Sequence, residues 1–144
     1  MLKGIPSVLQ PELLKILMEM GHGDTIVVGD GNFPGASVAK RLVRCDGNGG
    51  AEIMDAILTL MPLDSYSEYQ WGLMEVAPGD PYKPEIWDEY KIIVQRYEPT
   101  NNKVEMIERF AFYERAKEAY AVVASSETAL YANYILRKGV VTEK

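Results

Sequence analysis

The chain has 144 residues and a net charge of −6, and a chain of this length predicts one domain spanning residues 1–144. Its acidity argues against nucleic acid or an anionic membrane as a partner, because phosphate groups repel an acidic surface. One cysteine and one histidine are too few for a zinc site of the Cys/His type, whereas a carboxylate-only site for magnesium or calcium stays open.

Helical and strand patterns alternate along the chain. Proline and glycine bound segments with apolar residues at helical spacing, and short β-branched or apolar runs between turn signals indicate strands. In chain order, the pattern predicts a helix at 11–20, strands at 25–28 and 41–45, a helix at 51–61, a strand at 69–76, a helix at 84–97, a strand at 104–109, a helix at 111–119 and strands at 121–124 and 134–137. This alternation predicts a three-layer α/β/α domain with a largely parallel or mixed sheet.

The only histidine lies in the turn between the first helix and the first strand. This turn reads Gly21-His22-Gly23-Asp24, and Asp30 follows the strand. An imidazole titrates near neutral pH, as proton transfer requires, although a lone histidine is more often structural than catalytic. Asp30 lies where a strand ends, and ligands bind at such positions in α/β folds. The pair therefore marks a candidate site.

Several nucleotide and hydrolase motifs are missing. Pro34 replaces the last glycine or alanine of a dinucleotide fingerprint after Gly29-Asp30-Gly31, and neither a P-loop nor a G-x-S-x-G elbow is present. No signal peptide is recognisable, and no apolar run approaches the roughly 18 residues of a membrane span. We therefore expect a soluble, cytoplasmic protein.

Two segments near the C-terminus are rich in groups that bind hydroxyls. Residues 109–115 supply guanidinium and phenol groups, and residues 131–133 supply a phenol and an amide. Each segment alone is more often structural, but together they suit a polyhydroxylated ligand.

Ordered motifs along the chain resemble those of one family. They are Gly21-His22-Gly23-Asp24, Asp30 with Asn32-Phe33-Pro34, Asp46-Gly47, Pro62 to Tyr66, Arg109 to Arg115, and Tyr131-Ala132-Asn133 with Leu136 to Val140. The chain resembles the L-fucose mutarotase branch of the fucose mutarotase and ribose pyranase family nearly end to end. Phe-Tyr-Glu-Arg at 112–115 favours the fucose branch over the ribose branch.

This resemblance implies a ribose-pyranase-like fold and a cofactor-free isomerase that interconverts the α and β anomers of a free sugar, with L-fucose as the first choice. It also implies ring-shaped octamers or decamers with sites at subunit boundaries. It implies His22 as the proton donor, Asp30, Arg109, Tyr131 and Asn133 as sugar-binding groups, and Asp64 and Tyr113 near the sugar. We take Asp64 as a further sugar-binding group and Tyr113 as a second catalytic group.

Anomer exchange requires one group to protonate the ring oxygen while another removes the proton of the anomeric hydroxyl. We assign the proton exchange to His22. Asp30 either orients the imidazole or accepts from sugar hydroxyls, and Tyr113 is either a second proton carrier or a hydrogen-bond donor. The sequence leaves both choices open.

Two other functions stay open from the sequence: a non-catalytic sugar-binding or regulatory module, and a glycosidase that uses two carboxylates. The sugar is open as well, since D-galactose or D-ribose are related aldopyranoses. Ser125-Ser126-Glu127 departs from the family's usual Thr-Gly-Glu or Ser-Gly-Glu, so we expect a different turn before Glu127.

Overall fold

The computed structural model describes residues 1–143, so Lys144, the last residue of the predicted domain, lies outside the described residues. The elements are α1 (Pro11–Glu19), β1 (Thr25–Gly29), α2 (Gly35–Val38), β2 (Leu42–Cys45), α3 (Gly50–Leu60), β3 (Trp71–Met74), α4 (Ile86–Tyr97), β4 (Val104–Ile107), α5 (Arg109–Glu118), β5 (Ala121–Ser125) and β6 (Tyr134–Arg137). The sequence predictions of helices and strands are confirmed to within a few residues, with two exceptions.

The first exception is Arg109, which the sequence placed at the end of a strand but which begins α5. The Glu108 side chain accepts a hydrogen bond from the Ala111 amide at 3.0 Å, and such a cap starts the helix two residues before the predicted position. The second exception is α2, which the sequence did not predict. With four residues, it is too short to produce a recognisable helical period.

All six strands form one mixed sheet, in the order β2-β5-β1-β6-β3-β4. Only β6 is antiparallel to its neighbours, β1 and β3, whereas the other pairs are parallel. The carboxyl ends of β1 to β5 therefore meet at one side of the sheet together with the start of β6. We call this side the carboxyl edge and the opposite side the amino edge.

Helices cover both faces of the sheet, which confirms the predicted three layers. Ile26 and Val28 of β1 pack into the larger core with α1, α3 and α4, whereas Val27 points into the smaller core with Phe112 of α5. All three β1 side chains are fully buried. This explains why β1 is continuously apolar instead of alternating. Within residues 1–143, no helix has the length and hydropathy needed to cross a membrane.

Two buried tyrosines fix the backbone beside the carboxyl edge. The rings of Tyr90 and Tyr134 meet edge to face with centroids 4.9 Å apart. The Tyr90 hydroxyl donates to the Ala132 carbonyl at 2.9 Å, and the Tyr134 hydroxyl donates to the Gly50 carbonyl at 2.8 Å. A Cβ at Gly50 would collide with the Tyr90 hydroxyl. Glycine at this position therefore lets α4 anchor the segment that precedes β6.

Candidate functional site

Most of the predicted site residues lie at the carboxyl edge. Asp30 directly follows β1 and Asn133 directly precedes β6, and these strands are neighbours in the sheet. The Asp30 amide donates a hydrogen bond to Asn133 Oδ1 at 2.7 Å. Arg109 and Tyr113 on α5, and Tyr131 just before β6, lie at the same edge. The fold thus brings together residues from both halves of the chain.

Asp30 presents a buried carboxylate at this edge. Its Oδ1 accepts from the Asn32 amide at 3.0 Å, and its Oδ2 accepts from the Ala132 amide at 3.4 Å. Burial raises the pKa of Asp30 because it disfavours the charged form, and the backbone hydrogen bonds counteract only part of this effect. Each carboxylate oxygen has about two acceptor positions, so Asp30 retains capacity for the hydroxyl groups of a ligand.

Asn133 is also buried, and its amide group is oriented by its neighbours. Its Oδ1 accepts from the Asp30 amide, and its Nδ2 lies 3.8 Å from the sulfur of Met74. A thioether is a weak acceptor. The Nδ2 group is therefore a donor that a ligand oxygen can engage more strongly than Met74 does.

Arg109 and Tyr113 form a pair one helical turn apart on α5. Arg109 Nε donates to the Tyr113 hydroxyl at 3.0 Å, and the guanidinium carbon lies 5.5 Å from the centre of the Tyr113 ring. The Tyr113 ring also contacts Phe33, with centroids 5.7 Å apart. Since the hydrogen bond uses Nε, the two Nη groups of Arg109 have no hydrogen-bond partner among residues 1–143 and can bind a ligand.

Tyr131 has an unusual backbone conformation and several contacts. Its φ of 55° is the only positive value at a non-glycine residue in the described chain, and such a conformation needs support from its surroundings. The hydroxyl donates to Asp80 Oδ2 at 2.6 Å, and the carbonyl accepts from Trp87 Nε1 at 2.7 Å. The hydrogen bond to Asp80 raises the pKa of the Tyr131 phenol.

His22 and Asp64 form a pair at the amino edge. His22 Nε2 lies 2.9 Å from Asp64 Oδ1. The imidazole is 47% exposed, whereas the Asp64 side chain is only 5% exposed. Asp64 also accepts from the Ser67 hydroxyl at 2.6 Å and from the Tyr66 amide at 3.0 Å. The His22 ring thus rests on a fixed carboxylate and leaves Nδ1 for a ligand.

The same contacts keep Asp64 ionised. Burial on its own would raise the pKa of Asp64, but hydrogen bonds from Ser67, His22 and Tyr66 outweigh burial and lower this pKa. A carboxylate next to a histidine orients the ring and stabilises its protonated form. This pair therefore has the arrangement of a general acid–base group and its supporting anion.

The two groups of residues lie at opposite edges of the same sheet. β1 has five residues, and a rise of about 3.3 Å per residue places its two ends, one next to the His22 turn and one next to Asp30, about 13 Å apart. Within one chain, therefore, the carboxylate that contacts the His22 imidazole is Asp64 and not Asp30. Accepting from sugar hydroxyls is the role that remains for Asp30. Tyr113 likewise lies at the edge opposite His22. A single chain therefore presents the predicted site residues as two separate groups.

Sequence reasoning missed four supporting residues. Ser67 holds Asp64, whereas Asp80 and Trp87 hold Tyr131. Glu127 accepts from the Gly50 amide at the start of α3 at 3.0 Å, and its carbonyl accepts from Gly31, next to Asp30, at 2.8 Å. Asp64 and Asp80 each accept from the amide two residues ahead. That local pattern is the available sequence signal.

The unusual triplet Ser125-Ser126-Glu127 has a defined turn. The Ser125 hydroxyl donates to the Gly29 carbonyl at 2.6 Å, and the Ser126 hydroxyl accepts from the Gly47 amide at 2.7 Å. The Ser126 side chain thereby ties this turn to the turn after β2.

Among residues 1–143, no three His, Cys, Asp or Glu side chains gather in a way that would hold a metal ion.

Residues 3–141 match the family model described as the RbsD / FucU transport protein family. The chain belongs to this family. It is 44% identical over 144 residues to an L-fucose mutarotase of Actinobacillus pleuropneumoniae serotype 5b, and the match covers 100% of both chains. It is 48% identical over 146 residues to a human fucose mutarotase, covering 97% of this chain and 94% of the human protein.

A solved structure is also similar to this chain. It is the crystal structure of the fucose mutarotase in complex with L-fucose from Streptococcus pneumoniae, which has a TM-score of 0.94 and 50% sequence identity. The match covers 98% of this chain and 100% of that chain. The resemblance to the fucose mutarotase branch and the expected α/β fold are both confirmed.

Proposed function

We propose that this protein interconverts the α and β anomers of L-fucose. The observation that carries this function is the similarity, over nearly the full length, to a fucose mutarotase solved in complex with L-fucose. The paired His22 and Asp64 supply the acid–base group that ring opening needs. The protein is therefore an isomerase of carbohydrate metabolism.

The geometry of His22 supports a specific proton path. With Nε2–H donating to the ionised Asp64, the neutral ring carries its lone pair on Nδ1. We assign Nδ1 as the atom that takes the proton of the anomeric hydroxyl or returns a proton to the ring oxygen. Asp64 stabilises the imidazolium that forms in between. The sequence analysis predicts Asp64 as a sugar-binding residue. From its contact with His22, we propose instead that it acts behind the histidine as a positioning residue.

We assign recognition of the sugar to the carboxyl edge. The Asp30 carboxylate accepts hydrogen bonds from sugar hydroxyls, and Arg109 and Asn133 donate to sugar oxygens. Tyr131 contributes a phenol oxygen. Tyr113, already bonded to Arg109, is the candidate for the second proton transfer, because ring opening and closing require a donor and an acceptor at the same time.

The separation of the two edges supports a shared site. Because His22 and Asp30 of one chain lie at opposite ends of β1, which are about 13 Å apart, we propose that the amino edge of one copy meets the carboxyl edge of the next. Contacts of this head-to-tail kind generate closed rings when the rotation closes. An octamer or decamer, as the family resemblance implies, fits such an arrangement.

We also propose that residues 1–144 form one mutarotase domain with a cytoplasmic location. Its only cysteine, Cys45, is a buried free thiol, and proteins of reducing compartments keep their thiols unpaired.

The test is anomer exchange measured by saturation-difference NMR with a panel of free sugars. We expect accelerated exchange of L-fucose, and slower exchange of D-galactose and D-ribose. Binding of L-fucose without accelerated exchange would instead identify a non-catalytic sugar-binding module.

A further inference from the structure

We propose that Asp80 is a positioning residue for Tyr131, and that it presents the Tyr131 hydroxyl to the sugar as a hydrogen-bond acceptor. This inference rests on the proposed function, in which Tyr131 binds sugar. Asp80 belongs to the loop between β3 and α4 and lies 51 positions away from Tyr131 in sequence. The contact between the two side chains carries the inference.

The Tyr131 hydroxyl has one proton, and a hydrogen bond to Asp80 fixes the direction in which this proton points. The Tyr131 hydroxyl donates to Asp80 Oδ2 at 2.6 Å, which is short and charge-assisted. The Ala77 amide approaches the same oxygen at 3.4 Å, which is a long hydrogen bond. A phenol oxygen has two lone pairs, so one of them remains for a sugar hydroxyl. The hydrogen bond to Asp80 thereby makes the Tyr131 hydroxyl an acceptor, and not a donor, toward a sugar hydroxyl.

The loop holds Asp80 firmly enough for this role. Asp80 Oδ1 accepts from the Tyr82 amide at 2.9 Å, and the Asp80 amide donates to the Ala77 carbonyl at 3.1 Å. Gly79 has a φ of 86°, a value that glycine adopts without strain. The Tyr82 ring also stacks near the Tyr131 ring, with centroids 6.1 Å apart. This turn therefore fixes the position of the Asp80 carboxylate next to the Tyr131 hydroxyl.

The same segment also supports the strained backbone of Tyr131. Trp87 Nε1, at the start of α4, donates to the Tyr131 carbonyl at 2.7 Å. Two side chains of the 77–87 segment, those of Asp80 and Trp87, thus bind the hydroxyl and the carbonyl of Tyr131. The hydrogen bond to Asp80 raises the Tyr131 pKa, whereas the positive charge of Arg109 lowers it.

The test uses the full-length protein with the substitution Asp80→Asn, which keeps an oxygen for the Tyr82 amide but removes the negative charge. Asp55→Asn is the matched control, because Asp55 accepts from the Tyr97 hydroxyl at 2.7 Å on α3, away from the site. The first readout is the phenol titration of Tyr131 by NMR with tyrosine labelled at Cζ. The resonance is assigned by its loss in Tyr131→Phe.

We expect the Tyr131 pKa to fall in Asp80→Asn and to stay unchanged in Asp55→Asn. The dissociation constant for L-fucose rises about two- to tenfold, which is the range for one hydrogen bond. In the Tyr131→Phe background, Asp80→Asn causes no additional loss of affinity. A structural role for Asp80 would weaken binding equally in both backgrounds, and that result would overturn the inference.

The two proposals fail in distinguishable ways. If the wild-type protein neither binds nor exchanges L-fucose, the proposed function is wrong, but the phenol titration still decides whether Asp80 holds the Tyr131 proton. An unchanged Tyr131 pKa in Asp80→Asn overturns the role of Asp80 even when the wild-type protein exchanges L-fucose normally.

Discussion

His22 Nε2 lies 2.9 Å from Asp64 Oδ1, although the two residues are 42 positions apart in sequence. The turn before β1 and the segment after α3 meet at the amino edge, where the Asp64 amide donates to the Arg137 carbonyl at 3.0 Å and Gly23 donates to Lys138 at 2.9 Å. The end of β6 therefore fixes both partners. The acid–base pair is thus held in place by backbone hydrogen bonds to the end of β6.

Asp64→Asn tests whether the carboxylate supports catalysis. We expect anomer exchange to slow by about tenfold to a hundredfold, because an amide stabilises the imidazolium poorly and allows the wrong tautomer. The measurement is saturation-difference NMR at saturating L-fucose. Ser67→Ala, which removes the 2.6 Å hydrogen bond to Asp64, should give a smaller loss. Unchanged exchange in Asp64→Asn would contradict this role.

Asp64 should also make stability depend on pH. Its folded-state pKa lies below the unfolded value, which is about 3.9. Its ionised form therefore stabilises the fold at pH values above the unfolded pKa, and this contribution is lost as pH falls through the folded pKa. Urea unfolding of wild type and Asp64→Asn should show a difference near pH 6 that shrinks toward pH 3. A difference independent of pH would refute the prediction.

A mixture of two inactive variants tests the shared site. His22→Ala keeps an intact carboxyl edge, and Asp30→Ala keeps an intact His22. Co-expressed at equal amounts, they should restore about a quarter of the wild-type exchange, because a random head-to-tail arrangement pairs the two intact edges at one contact in four.

The control for this mixture is the double variant carrying both substitutions, co-expressed with either single variant. That combination never provides both intact edges at one contact, so it should stay inactive. Sites complete within one chain would leave the His22→Ala and Asp30→Ala mixture inactive as well.

Gly50→Ala tests the anchor of the segment before β6. A Cβ at this position collides with the Tyr90 hydroxyl, which holds the Ala132 carbonyl. We expect the free energy of unfolding to fall by about 1–3 kcal/mol, as for other overpacked cores. Gly21→Ala is the control, since its Cβ would meet Asp24 at an ordinary 3.7 Å. Equal stability of both variants in urea unfolding would disprove the anchor.

More of the fold than of the candidate site could be predicted from the sequence. The apolar run of β1 and the proline at the start of α1 are local signals, so both elements could be predicted to within a few residues. The four residues of α2 are too few to show a helical repeat of apolar residues, so this helix could not be predicted. The start of α5 depends on Glu108, which is an uncommon residue at a helix cap.

The arrangement of the site depends on contacts that local patterns do not contain. Asp30, eight positions after His22, was predicted either to orient the imidazole or to accept from sugar hydroxyls, yet the intervening strand β1 places the two residues at opposite edges. The partner of His22 is Asp64, and the partner of Tyr131 is Asp80. Both contacts join distant segments through the order of strands in the sheet, which the alternation of elements alone left open.

The most direct test of the account compares wild type with His22→Ala in the exchange of L-fucose anomers, measured by saturation-difference NMR at equal protein concentration. Circular dichroism serves as the check that both proteins are folded. We predict that wild type accelerates exchange well above the rate in buffer, and that His22→Ala loses at least about a hundredfold of this acceleration. Exchange by folded His22→Ala at the wild-type rate would contradict it.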